Sequence, residues 1–580
     1  MADPVVLLIR GARAVNPFGK IAARLLLSRA KHRSIQGHPR MALRLSRWAP
    51  EYSYPESVFL ASDFAPPEIQ NKRRVGFERL ATLFRQRFAK SIALSEELQA
   101  GVSDLAFVNA HRVPFQYQRY VDEHLKIGSV VEATDGPRVR DMDGNWSYDL
   151  GGSYGVNLFG ADFYKRCIDR GVERARSLGL VLGPYHPIVA DNVRRLKLIS
   201  GLAEVSFHMS GTEAVMQAVR LARYHSGRSH VVRFCGAYHG WWDGVQAGIG
   251  NPRPAPDVYT LKEMDAVTLQ VLRTREDIAC VLINPIQAMN PNGVPPSDST
   301  LISSDRVADF DKPSYIRWLK ELREICTARK IVLIFDEVFL GFRLARGGVQ
   351  EYFGVQADMV TYGKSLGGGL PAGVVCGKSH LMRRFKDSRP MDICFARGTF
   401  NSHPYVMATM NEFLRYLDEP EVRASYEQLD AKWDGRALSL NRRLEDLALP
   451  VRVANMTSVW TTLYTQPGRY NWMFQYYLRA EGLTLSWIGT GRFIFSHDLM
   501  DCDFGDIANR FVVAAQAMQS DGWWWSDAAL TDKAIKRRVM KELIQARLGR
   551  LPWKASPLLL SRKEESHTTI SVTGSHTMPQ

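Results

Sequence analysis

Residues 331–342 read IVLIFDEVFLGF and residues 357–373 read ADMVTYGKSLGGGLPAG, and these two stretches decide the fold. In the first, the apolar run from Ile331 to Phe335 ends on Asp336. A strand that is apolar throughout is buried on both faces, as in a parallel sheet covered by helices. The second stretch repeats the device, with Met359 to Tyr362 handing over at Gly363 to Lys364. Polar residues at the C-terminal ends of such strands face the ligand crevice of an open α/β sheet.

Outward from this pair, the β-rich runs Val205–Phe207, Val231–Phe234 and Val281–Ile283 alternate with helical stretches between Asp191 and His380. That rhythm predicts βαβ units. The expected fold class is α/β, a large domain with a mainly parallel sheet flanked by helices plus a smaller C-terminal α/β domain. The expected boundaries are a basic amphipathic arm over 1–50, an N-terminal helical extension over 51–130, the large domain over 131–420, the small domain over 421–551 and a disordered tail over 552–580. Within the extension, Phe77, Leu80, Ala81, Phe84 and Phe88 share one helical face. VRDMDGNWSYDL, residues 139–150, predicts a hairpin turning at its Asp-Gly.

Charge and composition bound the function. The net charge is +15, but Pro4 to Pro50 holds ten Lys and Arg and no Asp or Glu, which leaves the remainder nearly balanced. The arm has three readings: a packing extension or solvated tail, a membrane-surface helix, or an Arg-rich transit peptide. A nucleic-acid role is disfavoured because aromatic residues are sparse among its arginines. The seven cysteines are scattered, with no CxxC, so neither a disulfide framework nor a metal site is expected. No apolar run reaches the roughly 18 residues that span a bilayer, and cytoplasmic residence is expected. Trp523, Trp524 and Trp525 read as packing or as a membrane-interface anchor, with packing favoured.

Four pieces carry chemistry. SFHMSGTEAVMQAVRLAR, residues 206–223, runs a strand into Ser210, Gly211 and Thr212 and then a helix, whose first backbone N–H groups form an anion cradle. Alone this is also an ordinary N-cap. FCGAYHGWWDG, residues 234–244, sets Tyr238 and His239 between glycines, where an aromatic ring can lie flat on a planar ligand or merely cover a loop. Asp336 ends a buried strand, where a carboxylate requires a cationic or hydrogen-bonding partner, and a pyridinium nitrogen or a salt bridge would serve. Magnesium ligation there would call for a GxxxxGK[ST] loop, which the chain lacks. Lys364, between Gly363 and the triple glycine Gly367–Gly369, reads as positioned rather than solvated, an amine suited to Schiff-base chemistry.

As a set, SGTEAVMQAVRLAR, YHG, IFDEVFLGFR, EYFGVQADMVTYGKSLGGGLPAG and RGTFNSHP resemble the class III aminotransferases, particularly the glutamate-1-semialdehyde aminomutase branch, over about 130–520. The resemblance implies a fold type I enzyme dependent on pyridoxal 5'-phosphate (PLP), a homodimer sharing its active site. It implies that Lys364 holds the cofactor and shuttles a proton, Asp336 pairs with the pyridine nitrogen, and Tyr238 and Val338 cover the two ring faces beside His239. Ser210, Gly211 and Thr212 would bind the phosphate, Thr399 the phosphate of the neighbouring subunit's cofactor, and Gln287 the phenolic oxygen. The implied activity moves an amino group from an amino-acid donor to an aldehyde or ketone, with an intramolecular aminomutase as the alternative. An inactive PLP-fold scaffold is the reading from another class, and retention of Lys364 and Asp336 speaks against it.

Two departures bear on substrate. Asn284 stands where many relatives of this family carry a glutamate, although Arg492 offers a donor carboxylate a partner. Trp241 and Trp242 follow YHG, suggesting a larger, more apolar substrate.

Overall fold

The computed structural model describes residues 17–33, 37–128, 130–289, 310–485 and 492–553. The expected tail lies outside them, apart from residues 552–553. The centre is a seven-stranded sheet. Its strands are β1 (Glu204–His208), β2 (His230–Phe234), β3 (Val258–Leu261), β4 (Ile278–Ile283), β5 (Val332–Asp336), β6 (Met359–Gly363) and β7 (Gly373–Gly377). Their spatial order is β1-β7-β6-β5-β4-β2-β3. The pairs from β3 through β6 are parallel, and β7 runs antiparallel to both neighbours.

The uniform apolar runs are buried as expected. Every residue of β4, β5 and β6 is inaccessible from either face. At roughly 1.5–3 kcal/mol per fully buried large aliphatic or aromatic side chain, these three strands anchor the domain. β3 and β7 carry no sequence signal of their own. VYTL is a short edge strand, and GVVCG follows a Gly/Pro turn so closely that it reads as loop. The pairing Gly363↔Gly373 brings β7 back beside the lysine-bearing end of β6.

The hairpin forms as expected, pairing Arg138↔Tyr148, Val139↔Ser147 and Arg140↔Trp146. Val131–Asp135 flanks it on one side, and Leu483–Thr484 joins in parallel on the other. A second apolar core draws on both the N-terminal extension and the C-terminal third. Phe59, Phe77, Leu80, Phe84 and Tyr117 pack with Trp433, Trp472, Tyr476, Phe511 and Trp523. Polar pins cross the same boundary. Arg73 holds Asp63 through two bonds of 2.7 and 2.6 Å and also reaches the Gly522 carbonyl at 3.0 Å. Glu542 accepts from Tyr52, Tyr54, Arg469 and Arg538.

Two residues of the triple tryptophan belong to this core. Trp523 and Trp524 are buried, and their indole N–H groups donate to Tyr477 and Asn471. In the arm, the helix Pro17–Arg29 lies against the helix Ala266–Thr274. Ala30 is fully buried and its carbonyl accepts from Lys262 N at 2.9 Å, so this described stretch of the arm packs on the large domain. Among the described residues no helix is long and apolar enough to cross a membrane.

Candidate active site

The C-terminal ends of β5 and β6 bring Asp336 and Lys364 to one side of the sheet. Lys364 adopts a positive φ of 47°. A left-handed backbone costs a residue with a Cβ about 1–2 kcal/mol, so the surroundings must hold it there. They do so through its amine, which donates to the Tyr154 carbonyl at 2.9 Å. Ser153 and Tyr154 are themselves left-handed, at φ 47° and 58°. Two strained segments therefore meet at a single hydrogen bond. Burial lowers the Lys364 pKa; Asp336 opposes that shift and Arg343 adds to it.

Asp336 is 3 % exposed. One oxygen lies 2.7 Å from His239 Nδ1; the other accepts from Val338 N at 3.2 Å and Thr361 Oγ1 at 3.3 Å. The partner that a buried carboxylate requires is thus His239, whose Nδ1–H donates. Burial holds the His239 pKa below its usual value, and its Nε2 has no partner among the described residues.

Around this pair the chain is kept free of side chains. A Cβ on Gly211 would stand 2.5 Å from Val338 Cγ1, and one on Gly240 2.5 Å from Thr212 Oγ1. Ser210 caps the helix Gly211–Ser226, its hydroxyl accepting from Glu213 N at 3.2 Å, while Glu213 accepts from Met209 N at 2.9 Å. The Ser210 bond is the ordinary N-cap allowed by the sequence, with Glu213 reaching back one residue beyond the cap. It also leaves the amides of Gly211 and Thr212 outside the helix's own ladder. Gln287, past the end of β4, donates to the Gly236 carbonyl at 3.0 Å and retains a second amide hydrogen. Tyr238 is 63 % exposed. Thr399 sits on an exposed segment and is not gathered to Lys364 within one chain. Asn284 is buried, its amide oxygen accepting from Ile286 N. Trp241 is 75 % exposed, and Trp242 is half-buried beneath the Arg223 guanidinium.

Two participants escaped sequence reading. Tyr154 lies in GGSYG, whose glycines signalled an unusual backbone without identifying a contact. Arg343, quoted within a motif but given no role, is 1 % exposed. It donates to Ser458 Oγ, to the Phe495 carbonyl and to the carbonyls of Gly155 and Asn157. Burial pushes its pKa down to about 10, which leaves it charged near neutrality. It ties the loop that receives Lys364 to the small C-terminal sheet.

The profile described as "Aminotransferase class-III" matches residues 311–495, which include Asp336, Lys364 and Thr399. The chain is 31 % identical over 364 residues to a glutamate-1-semialdehyde 2,1-aminomutase of Citrifermentans bemidjiense, covering 59 % of this chain and 78 % of that protein. The chain belongs to the class III aminotransferase family. An aminomutase of Methanopyrus kandleri is 33 % identical over 351 residues, 58 % of this chain and 75 % of that protein. The fold is shared with an omega-transaminase from Sphaerobacter thermophilus (TM-score 0.57, 24 % identity, 68 % of this chain and 92 % of that one). It is shared too with a glutamate-1-semialdehyde aminomutase from Pseudomonas aeruginosa PAO1 (TM-score 0.60, 17 % identity, 78 % and 99 %). This class III aminotransferase has the fold type I architecture, and its cofactor is PLP. The site fits that group: a half-buried lysine whose amine is held by a main-chain carbonyl, a buried carboxylate, a helix N-terminus, and a cradle beside Val338 and Thr212 that Cβ atoms at Gly211 and Gly240 would fill.

Proposed function

We propose that this aminotransferase works with a separate amino-acid donor and an aldehyde or ketone acceptor, and that Lys364 and Asp336 are its catalytic residues. The carrying observation is the placement of Lys364 and Asp336 at neighbouring strand ends, the lysine half-buried and its pKa lowered. PLP supplies an electron sink for charge that develops at the substrate Cα. Lys364 is read as the base that removes and returns the proton at that carbon, a task for which a depressed pKa suits an amine. Asp336, oriented by His239 and Thr361, would pair with the pyridine nitrogen and favour its protonated form. Ser210, Gly211 and Thr212 would hold the phosphate, Gln287 the phenolic oxygen, and Tyr238 and Val338 the two ring faces.

We read the assembly as a homodimer in the cytoplasm, with Thr399 completing the partner's phosphate site. The apolar, exposed Met391, Ile393, Phe395 and Phe400 around Thr399 support this reading. Any peripheral contact with an anionic membrane would fall to Ile21 and Leu25, which are exposed beside Arg24. The aminomutase relatives favour a second reading, intramolecular transfer between adjacent carbons. One assay separates the two: a transaminase consumes a separate donor and releases its keto acid, whereas product formed without any added donor would establish the aminomutase.

A further inference from the structure

Beside Tyr154 the structure opens into a chamber of about 580 Å³ whose walls come from residues 87–112, 130–154 and 479–485. The size falls within the range of about 300–1,000 Å³ common for small-molecule pockets. Its apolar lining includes Val102, Leu105, Val108, Val131, Val139 and Leu485. Most polar groups in the wall are already engaged. Arg87 donates to the Ala480 carbonyl and Arg479 to that of Gly128. Asp141 accepts from the Asn145 amide, Asp149 from the backbone of Gly151 and Gly152, and Ser147 pairs with Thr484. Asp104 is exposed in the first turn of the helix Ser103–Ala110.

Arg112 differs. It is 8 % exposed, and its Nε has no hydrogen-bond partner among the described residues. Its charge is felt across the chamber mouth: burial raises the Tyr154 pKa, and Arg112 opposes that rise. Asp122 lies near enough for Arg112 to oppose the rise that burial gives its pKa, but no ion pair joins the two among the described residues, and a nearly buried guanidinium at the edge of an apolar space is costly without an anion in direct contact. Tyr154 is the residue whose carbonyl receives the Lys364 amine.

We propose that this chamber binds the distal part of the carbonyl substrate, an apolar alkyl or acyl chain bearing a carboxylate, and that Arg112 binds the carboxylate. The inference rests on reading Lys364 as the reactive amine. Arg112 lies in the helical extension, outside the stretch that resembles the family, so the extension becomes a specificity element of the site.

The test titrates the holoenzyme with sodium decanoate and with decan-1-ol by calorimetry. Decanoate should bind at least about tenfold more tightly, the scale of one hydrogen bond to a charged group. Arg112→Gln should bring decanoate to the level of decan-1-ol and leave the alcohol unchanged, and Arg112→Lys should restore part of the difference. Leu105→Trp, which fills the chamber, should weaken both ligands. Circular dichroism reports folding; should Arg112→Gln fail to fold, Arg112→Lys and Leu105→Trp decide. No saturable binding, an unchanged decanoate preference in Arg112→Gln, or undiminished binding in Leu105→Trp overturns the proposal. The cofactor band, expected near 410–430 nm (a rough range), is recorded on the same samples. Its absence from the wild type would sink the functional reading. Its presence alongside a flat ligand preference would sink the chamber alone.

Discussion

On one side of Tyr154 lies a site built from short contiguous motifs, and on the other a chamber walled by three distant parts of the chain. The first is positioned by strand ends: β5 delivers Asp336 and β6 delivers Lys364, each within a few residues of its own sequence signal. The second exists only because a helical extension packs against the C-terminal third, through contacts such as Arg73 with Gly522 and Tyr54 with Glu542 that span more than 400 residues. Chemistry written locally can be read locally, whereas a chamber formed by long-range packing cannot.

The largest effect expected is on the motif side. Lys364→Ala should abolish amino transfer by at least about a thousandfold and remove the cofactor band, with folding retained by circular dichroism. A variant that keeps both the band and turnover would break the assignment. Next comes the tie between the Tyr154 loop and the segments around Ser458 and Phe495. Arg343→Met leaves four oxygen acceptors without their buried donor, at a cost of about 1–3 kcal/mol for each one left unsatisfied. A fall in thermal midpoint of several degrees and weaker PLP retention should follow, with partial rescue by Arg343→Lys; an unchanged midpoint would show that these segments hold together without it.

The packing side predicts a pH effect. Burial opposes ionisation of Glu542, but Arg469, Tyr54 and Arg538 prevail and its pKa lies below the ordinary 4.5. A depressed carboxylate adds stability above its unfolded pKa and loses it as pH falls through the folded one. Glu542→Gln should therefore be less stable than wild type at pH 7, with the gap narrowing below about pH 4.5. Acid unfolding curves that remain parallel to the lowest pH would contradict this. The smallest effect is expected at Trp241, where Trp241→Ala should shift stability by less than about 0.5 kcal/mol in chemical denaturation.

Much of the large domain was legible because full burial of β4, β5 and β6 imposes uninterrupted apolar runs, and because a helix N-terminus and a Gly-flanked lysine have signatures a few residues long. β7 was not, since five residues after a Gly/Pro turn look like loop until a partner strand is present. His239 was read as a ring neighbour, but its bond to Asp336 depends on a loop and a strand end separated by 97 residues in sequence. Trp241 is exposed, whereas the apolar lining of the chamber beside Tyr154 includes Val102, Leu105 and Val108 of the extension, which carried no pattern in the sequence. Arg112 was silent because a lone arginine in a mixed helical segment carries no pattern; only its burial beside an apolar space distinguishes it.

The resting partner of the Lys364 amine is a main-chain oxygen. Exchanging the side chain of residue 154 can change the contour of the mouth without deleting that acceptor, so specificity is free to diverge there while the amine keeps its perch. The vulnerable points lie instead in whatever fixes the peptide plane, the left-handed turn at Ser153 and Tyr154 and the guanidinium that grips the carbonyls just beyond it.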